Sequence, residues 1–206
     1  MVQASGCSGV RYGERAAALL RRDVLCGCVV IAVDGAATLA HADNSDPART
    51  MRPQPGDLLV FFDGDQEGAV IKAADLKPGD PPILAWAFDP TKKVPRDGSR
   101  LNQILVMRFD PAALGPTEAA RAADGVVAYS AICTHQQCTV TDWLAAKRVA
   151  QCPCHQSEYD LAHGARVVAG PAPRALPALP LKMGGRVPTV AAPFTDRVGG
   201  EQLGTG

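Results

Sequence analysis

The chain has 206 residues, room for one elaborated domain or for one domain and an appendage. Lys and Arg total 21, as do Asp and Glu, so there is no basic excess of the kind a general nucleic-acid binder carries. Hydrophobic residues make up 47% and charged residues 20%, enough for a packed core, and no apolar run reaches the ~20 residues of a comfortable membrane span, which excludes a multi-span membrane protein.

The first 42 residues read as an address. Arg21-Arg22 precede the apolar stretch Val24 to Val33, Asp34 interrupts it, and Ala40-His41-Ala42 has the small-x-small form of a signal-peptidase site. The paired arginines resemble a twin-arginine export signal, a route that carries folded proteins. Cleavage after Ala42 would leave residues 43–206 in the periplasm and remove Cys7, Cys26 and Cys28. Retention of the segment would instead make it an anchor on the periplasmic side of the inner membrane. Asp34 argues against a spanning role, since an acidic residue near the bilayer centre costs ~2.5–3.5 kcal/mol on insertion scales.

From Asp43 to Asp57 the chain is polar and rich in proline, which predicts a linker or lead-in loop. Short apolar runs follow at residues 58–62, 69–71, 83–88, 104–109 and 126–129. Asp-Gly, Pro-Gly and Asp-Pro turns bound most of them, and such runs read as strands of an antiparallel sandwich or barrel. Residues 117–123 have a helical look.

The chemistry is concentrated after residue 130. Of seven cysteines and four histidines, Cys133, His135, Cys138, Cys152, Cys154 and His155 fall together, which suggests a metal site, a disulfide, or both. Cys133-x-His135 and Cys152-x-x-His155 each offer one thiolate and one imidazole from a tight loop, so two loops side by side can hold two irons, with sulfur donors on one and nitrogen donors on the other. A Cys2His2 zinc site would use similar ligands, although zinc fingers favour Cys-Cys and His-His pairs. A c-type haem motif is one residue short at Cys152-Pro153-Cys154-His155, and a pure disulfide scaffold leaves the histidines unexplained. His163 has no partner in the pattern and reads as a surface turn residue.

These motifs resemble the Rieske iron–sulfur family over about residues 126–175. The resemblance implies a mainly β fold, a Rieske-type antiparallel β-sandwich over residues 43–206 with a small cluster-binding subdomain at about 126–175. It implies one [2Fe-2S] cluster per chain, held by Cys133, His135, Cys152 and His155 at a potential of roughly −150 to +300 mV. It further implies a Cys138–Cys154 disulfide, as in Rieske proteins of energy-conserving complexes, which needs an oxidising compartment. Ser157 and Tyr159 are placed as hydroxyl donors that raise the potential, and Gly170, Pro171, Ala172 and Pro173 as a stiff loop shielding the cluster. Gln136 and Gln137 stand where quinol-oxidising relatives usually carry an apolar residue and then Gly, and Gln156 also replaces a usual Gly.

The chain shows no catalytic triad and no paired-carboxylate motif, so an electron-transferring subunit is expected rather than a complete enzyme. The first expectation is the Rieske subunit of a quinol–cytochrome c reductase of cytochrome bc type, with cytochrome b, a c-type cytochrome and quinol as partners. The second is the small subunit of an arsenite-oxidase-type molybdoenzyme beside a molybdopterin catalytic subunit, which residues 74–81 and 124–130 loosely resemble. The third is a free periplasmic electron carrier.

Overall fold

The computed structural model describes residues 46–200, and the expected leader over residues 1–42 lies outside them. Two antiparallel sheets make up the fold. The larger contains β1 (Leu58–Phe61), β2 (Ile83–Asp89), β3 (Val94–Pro95), β4 (Ile104–Arg108), β5 (Val126–Ser130), β10 (Leu181–Gly184) and β11 (Val187–Val190). Its strand order is β10-β11-β1-β2-β4-β5, with β3 paired to β2. The sheet curls until its outer strand β5 meets the segment leading into β10. There Tyr129 bridges Ala178, Ser130 N–H donates to Pro177 O and Leu179 N–H donates to Ala128 O. The smaller sheet runs β6 (Asp142–Leu144), β7 (Val149–Gln151), β8 (Glu158–Asp160), β9 (Arg166–Ala169), each paired with the next.

β4 and β5 show why their sequences read as unbroken apolar runs. Side chains of a strand alternate between its two faces. Leu105, Met107, Val127 and Tyr129 face a core shared with Cys133, Cys152, Tyr159, Leu161 and Leu176. Ile104, Val106, Val126 and Ala128 face a second core with Leu59, Ala85, Ala87 and Val190. Both faces are covered, so both sets must be apolar. The runs at 58–62, 83–88, 104–109 and 126–129 fall on strands, with Phe62 and Phe109 just past the ends of β1 and β4, whereas residues 69–71 form no strand but pair with β1 through the Val60–Val70 bridge and place Ile71 in the second core. The helical stretch expected at 117–123 is a single turn, α2 (Pro116–Ala119).

The lead-in is more ordered than a linker. It forms one helical turn, α1 (Pro47–Thr50), capped by the Asp46 side chain, which accepts from Ala48 N–H at 2.7 Å. Ala48 and Asp57 are buried. The polar residues expected to be solvated are held because Asp57 pairs with Arg96 across the fold.

Tyr129 couples the two sheets: its hydroxyl donates to Leu161 O at 2.9 Å, just beyond β8. Burial pushes its phenol above the ordinary tyrosine range. The folded state therefore favours the neutral phenol, while the unfolded chain ionises it near pH ~10. This stability is fully present below pH ~10 and is lost as pH rises through the folded value. Tyr129→Phe is expected to cost about 1 kcal/mol at neutral pH and to flatten the fall in denaturation midpoint between pH ~9 and ~11.5. An unchanged alkaline slope would contradict this role.

Candidate metal centre

Two loops of the same design carry the chemistry. The first leaves β5, closes with an Ile132–Thr139 bridge and holds Cys133, His135 and Cys138. The second joins β7 to β8 above the Gln151–Glu158 pair and holds Cys152, Cys154 and His155. In the first, Cys133 N–H donates to Cys138 O at 2.8 Å and Gln137 N–H to Cys133 O at 3.1 Å. In the second, Cys152 N–H donates to Ser157 O at 2.9 Å and Gln156 N–H to Cys152 O at 2.9 Å. Gln137 and Gln156 both sit at φ 59, the left-handed region that favours glycine. The two glutamines that stand where the family usually carries glycine thus adopt a conformation that glycine takes freely, held by the bonds back to Cys133 and Cys152.

The two disulfide-tied loops carry the four expected donor residues. Cys133 and Cys152 are free thiols, each only 1% exposed. Burial pushes the Cys152 thiol up. The rings of His135 and His155 meet edge to face with centroids 4.7 Å apart. Nδ1 of His135 is buried without a hydrogen-bond partner, as an imidazole nitrogen reserved for another bond would be. His155 is exposed, which leaves one imidazole at the surface. A disulfide joins Cys138 to Cys154 and ties the two loops. Two buried sulfurs, two adjacent imidazoles and an orphaned nitrogen fit a binuclear iron–sulfur group.

The surroundings tune and seal this pair of loops. Tyr159 places its hydroxyl 3.2 Å from Cys133 Sγ. Burial holds its phenol above the usual range, so it remains a neutral donor. Ser157 is fully buried, and its Oγ accepts from Ala172 N–H at 3.1 Å, leaving the hydroxyl proton to donate. That bond brings the loop at residues 170–173 against the second cysteine loop. Gly170, at φ +85, is required there: a Cβ would lie 2.5 Å from Ser157 Cα. His163 is exposed and pairs with Asp160 at 2.9 Å, apart from the donors.

Several contributors carry no motif. Thr134, buried between two donor residues, donates to Arg174 O at 2.6 Å and so fastens the first loop to the end of the shielding loop. Arg174 donates to Arg197 O at 2.7 Å and Gly199 O at 2.5 Å, clasping the last described residues behind the first loop. There a Cβ on Gly200 would lie 2.5 Å from His135 O. Arg100 donates to Gln137 O. The place of Thr134 between Cys133 and His135 is a signal that could have found it; the arginines act through backbone carbonyls, which leave no trace in sequence.

A mainly β protein with a disulfide-tied, two-loop thiol–imidazole centre belongs to the class of iron–sulfur electron-transfer domains. Residues 85–180 match the Rieske [2Fe-2S] domain, whose resident group is a [2Fe-2S] cluster. A curated relative, the cytochrome bc1 complex Rieske iron-sulfur subunit of Streptomyces coelicolor, is 34% identical over 155 residues, covering 70% of this chain and 44% of the relative. This chain thus matches less than half of that relative's length. A putative respiratory nitrate reductase subunit Rieske of Haloferax mediterranei is 47% identical over 57 residues, 28% of this chain and 25% of that one. The plasma membrane Rieske protein of the cyanobacterium Synechocystis has a similar structure, at 25% identity and a TM-score of 0.38, covering 59% of this chain and 95% of that one.

Proposed function

We propose that Cys133 and Cys152 hold one iron and His135 and His155 the other, and that the chain is the electron-transferring Rieske subunit of a quinol–cytochrome c reductase of cytochrome bc type. The observation that carries the ligand set is that the same two disulfide-tied loops carry two buried free thiols and a pair of edge-to-face imidazoles. The reading of the complex is supported by the Streptomyces relative, a subunit of a cytochrome bc1 complex.

When bound, the cluster supplies one-electron storage at high potential. The protein's own groups do the rest. Tyr159 offers its proton to Cys133 Sγ and Ser157 keeps a hydroxyl proton available, and such donors draw charge from sulfur and raise the potential. The loop at 170–173 and the disulfide limit water, while exposed His155 gives a partner a short path to the centre. Residues 43–206 would form the Rieske unit, and residues 1–42 would export or anchor it at the periplasmic face. Among the described residues no helix is long and apolar enough to cross a membrane. A second reading, the small subunit of a molybdopterin enzyme, draws support from the Haloferax relative named for a nitrate reductase.

Iron and sulfide analysis with electron paramagnetic resonance of the dithionite-reduced chain tests the ligand set. The expected result is two irons and two sulfides per chain with the low average g of histidine ligation, and loss of iron in His155→Ala and Cys133→Ser. Zinc without sulfide would overturn it. Co-purification with cytochrome b rather than a molybdopterin subunit decides between the complexes.

A further inference from the structure

Charge is distributed unevenly around the proposed metal centre. The first loop (residues 133–139), the second (residues 152–157) and the shielding loop (residues 170–173) contain no Asp, Glu, Lys or Arg. Arginines stand at the margin instead. Residues 100–103 pack along the first loop: Arg100 donates to Gln137 O, Ala131 N–H donates to Gln103 O at 2.9 Å, and Thr139 Oγ1 donates to Gln103 Oε1 at 2.7 Å. Arg52 is fastened to the same turn, donating to Leu101 O at 2.6 Å and to Asn102 Oδ1 at 3.3 Å. Behind the loop, Arg174 clasps the segment that carries exposed Arg197 and that packs Gly199 on Gln137. Arg52 and Arg100 are exposed, and among the described residues they bond to neutral oxygens and form no ion pair, so their charges stand uncancelled. The neighbouring carboxylates are already engaged, Asp196 with Arg174 at 3.2 Å and Asp97 with Arg49 at 2.6 Å. The exposed acid Asp142 stands across from Gln151, at the root of the second loop. Positive charge therefore collects on the flank of the first loop.

We propose that this arginine flank docks an acidic face of the protein that takes the electron, and so sets how that partner meets the centre. The inference rests on the electron-transferring reading above. Arg52 and Arg100 are held in place by the turn and the first loop, yet each keeps further N–H groups for a partner, and a guanidinium meets a carboxylate through two parallel bonds. An anionic membrane surface would match the charge but could not accept the electron, and exposed His155 would then face no acceptor. Charges at the rim of an interface act mainly on the rate of encounter and on its salt dependence.

The test uses the full, cluster-loaded chain, reduced and mixed by stopped flow with an acidic and with a basic c-type cytochrome. With the acidic cytochrome the second-order rate is expected to fall about tenfold as ionic strength rises from ~10 to ~200 mM, because the Debye length shrinks from ~30 Å to below ~8 Å. The basic cytochrome should react more slowly at low salt and gain from screening. Arg52→Gln and Arg100→Gln should each slow the acidic cytochrome about threefold at low salt and flatten its salt dependence. Arg100→Lys, which keeps the charge, should restore most of that rate. The midpoint potential and the electron paramagnetic resonance spectrum should not move in Arg52→Gln, which separates a lost docking charge from a disturbed loop. A chain that reduces neither cytochrome would sink the electron-transferring reading itself. Equal rates with both cytochromes at low salt, a salt-independent rate, or variants that slow both alike would overturn the docking proposal alone. So would binding to phosphatidylglycerol vesicles that is lost in Arg52→Gln, which would give the flank to a membrane.

Discussion

Asp57→Asn is expected to lower stability by about 3 kcal/mol, near the bottom of the ~3–5 kcal/mol range for breaking a buried ion pair. Arg96 and Asp57 are each 3% exposed in their side chains and meet through two bonds, Nε to Oδ2 at 2.5 Å and Nη2 to Oδ1 at 2.8 Å. The bonds from Asp57 are the largest reason the guanidinium's pKa is raised above its usual value. Asparagine keeps the shape and one acceptor but strands a buried cation, with only Asp89 at 3.3 Å to answer it. The loss spreads because the pair organises the lead-in. Arg96 also donates to Ala48 O, and Asp57 Oδ2 accepts from Gln54 N–H. Arg96 O in turn accepts from Asn102 Nδ2 at 2.9 Å. Asn102 ends the short turn Arg100–Asn102, from which Arg100 reaches Gln137 O on the first cysteine loop. Urea unfolding measures the effect. Asp57→Leu with Arg96→Met should recover part of it, since no charge is then left unpaired. A loss below ~1 kcal/mol in the single variant would remove the pair from this role.

The parts legible in the sequence are those whose cause is local. Residues 104–109 and 126–129 announce strands because two covered faces force apolar residues at both parities, and residues 58–62 and 83–88 do so as short apolar runs bounded by turn residues. The second sheet escapes because its strands are three or four residues long and mix types, as in Asp142–Leu144 and Glu158–Asp160. The turn between β6 and β7 also lacks the usual glycine signal, although Gly164 stands in the turn between β8 and β9. Arg148 at φ 56 and Ala165 at φ 50 take left-handed conformations that composition does not advertise. The lead-in reads as a linker because Asp57, its one buried polar residue among the described residues, gains its burial from Arg96, far along the chain.

At the site, the donor residues are legible because metal chemistry dictates their type and spacing. Their supports are not. Thr134, Arg100 and Arg174 act on or through backbone carbonyls, and Gly200 matters only for the atoms it lacks. Gln137 and Gln156 show the limit from the other side: a departure in residue type leaves the loop conformation in place, because hydrogen bonds to Cys133 O and Cys152 O hold it at a strain of order 1 kcal/mol each.

Removing the disulfide, with Cys138→Ser and Cys154→Ser together, is expected to lower stability by about 3 kcal/mol, the chain-entropy value for a closed loop of ~15 residues. The two cysteines are separated by 16 residues, so the cross-link restricts the unfolded chain over that span. In the folded state each loop retains its own supports. The first keeps Thr134 on Arg174 O and Arg100 on Gln137 O, and the second keeps Ser157 on Ala172. None of these bonds joins one loop directly to the other. The global loss should therefore be accompanied by a specific one, a lower iron content as the thiol of Cys133 and that of Cys152 lose their fixed separation. Denaturant midpoints read the first effect and iron per chain reads the second. A stability change below ~1 kcal/mol with full iron would mean that the loops are held together by their separate anchors, and that the disulfide serves only to shield the centre from water.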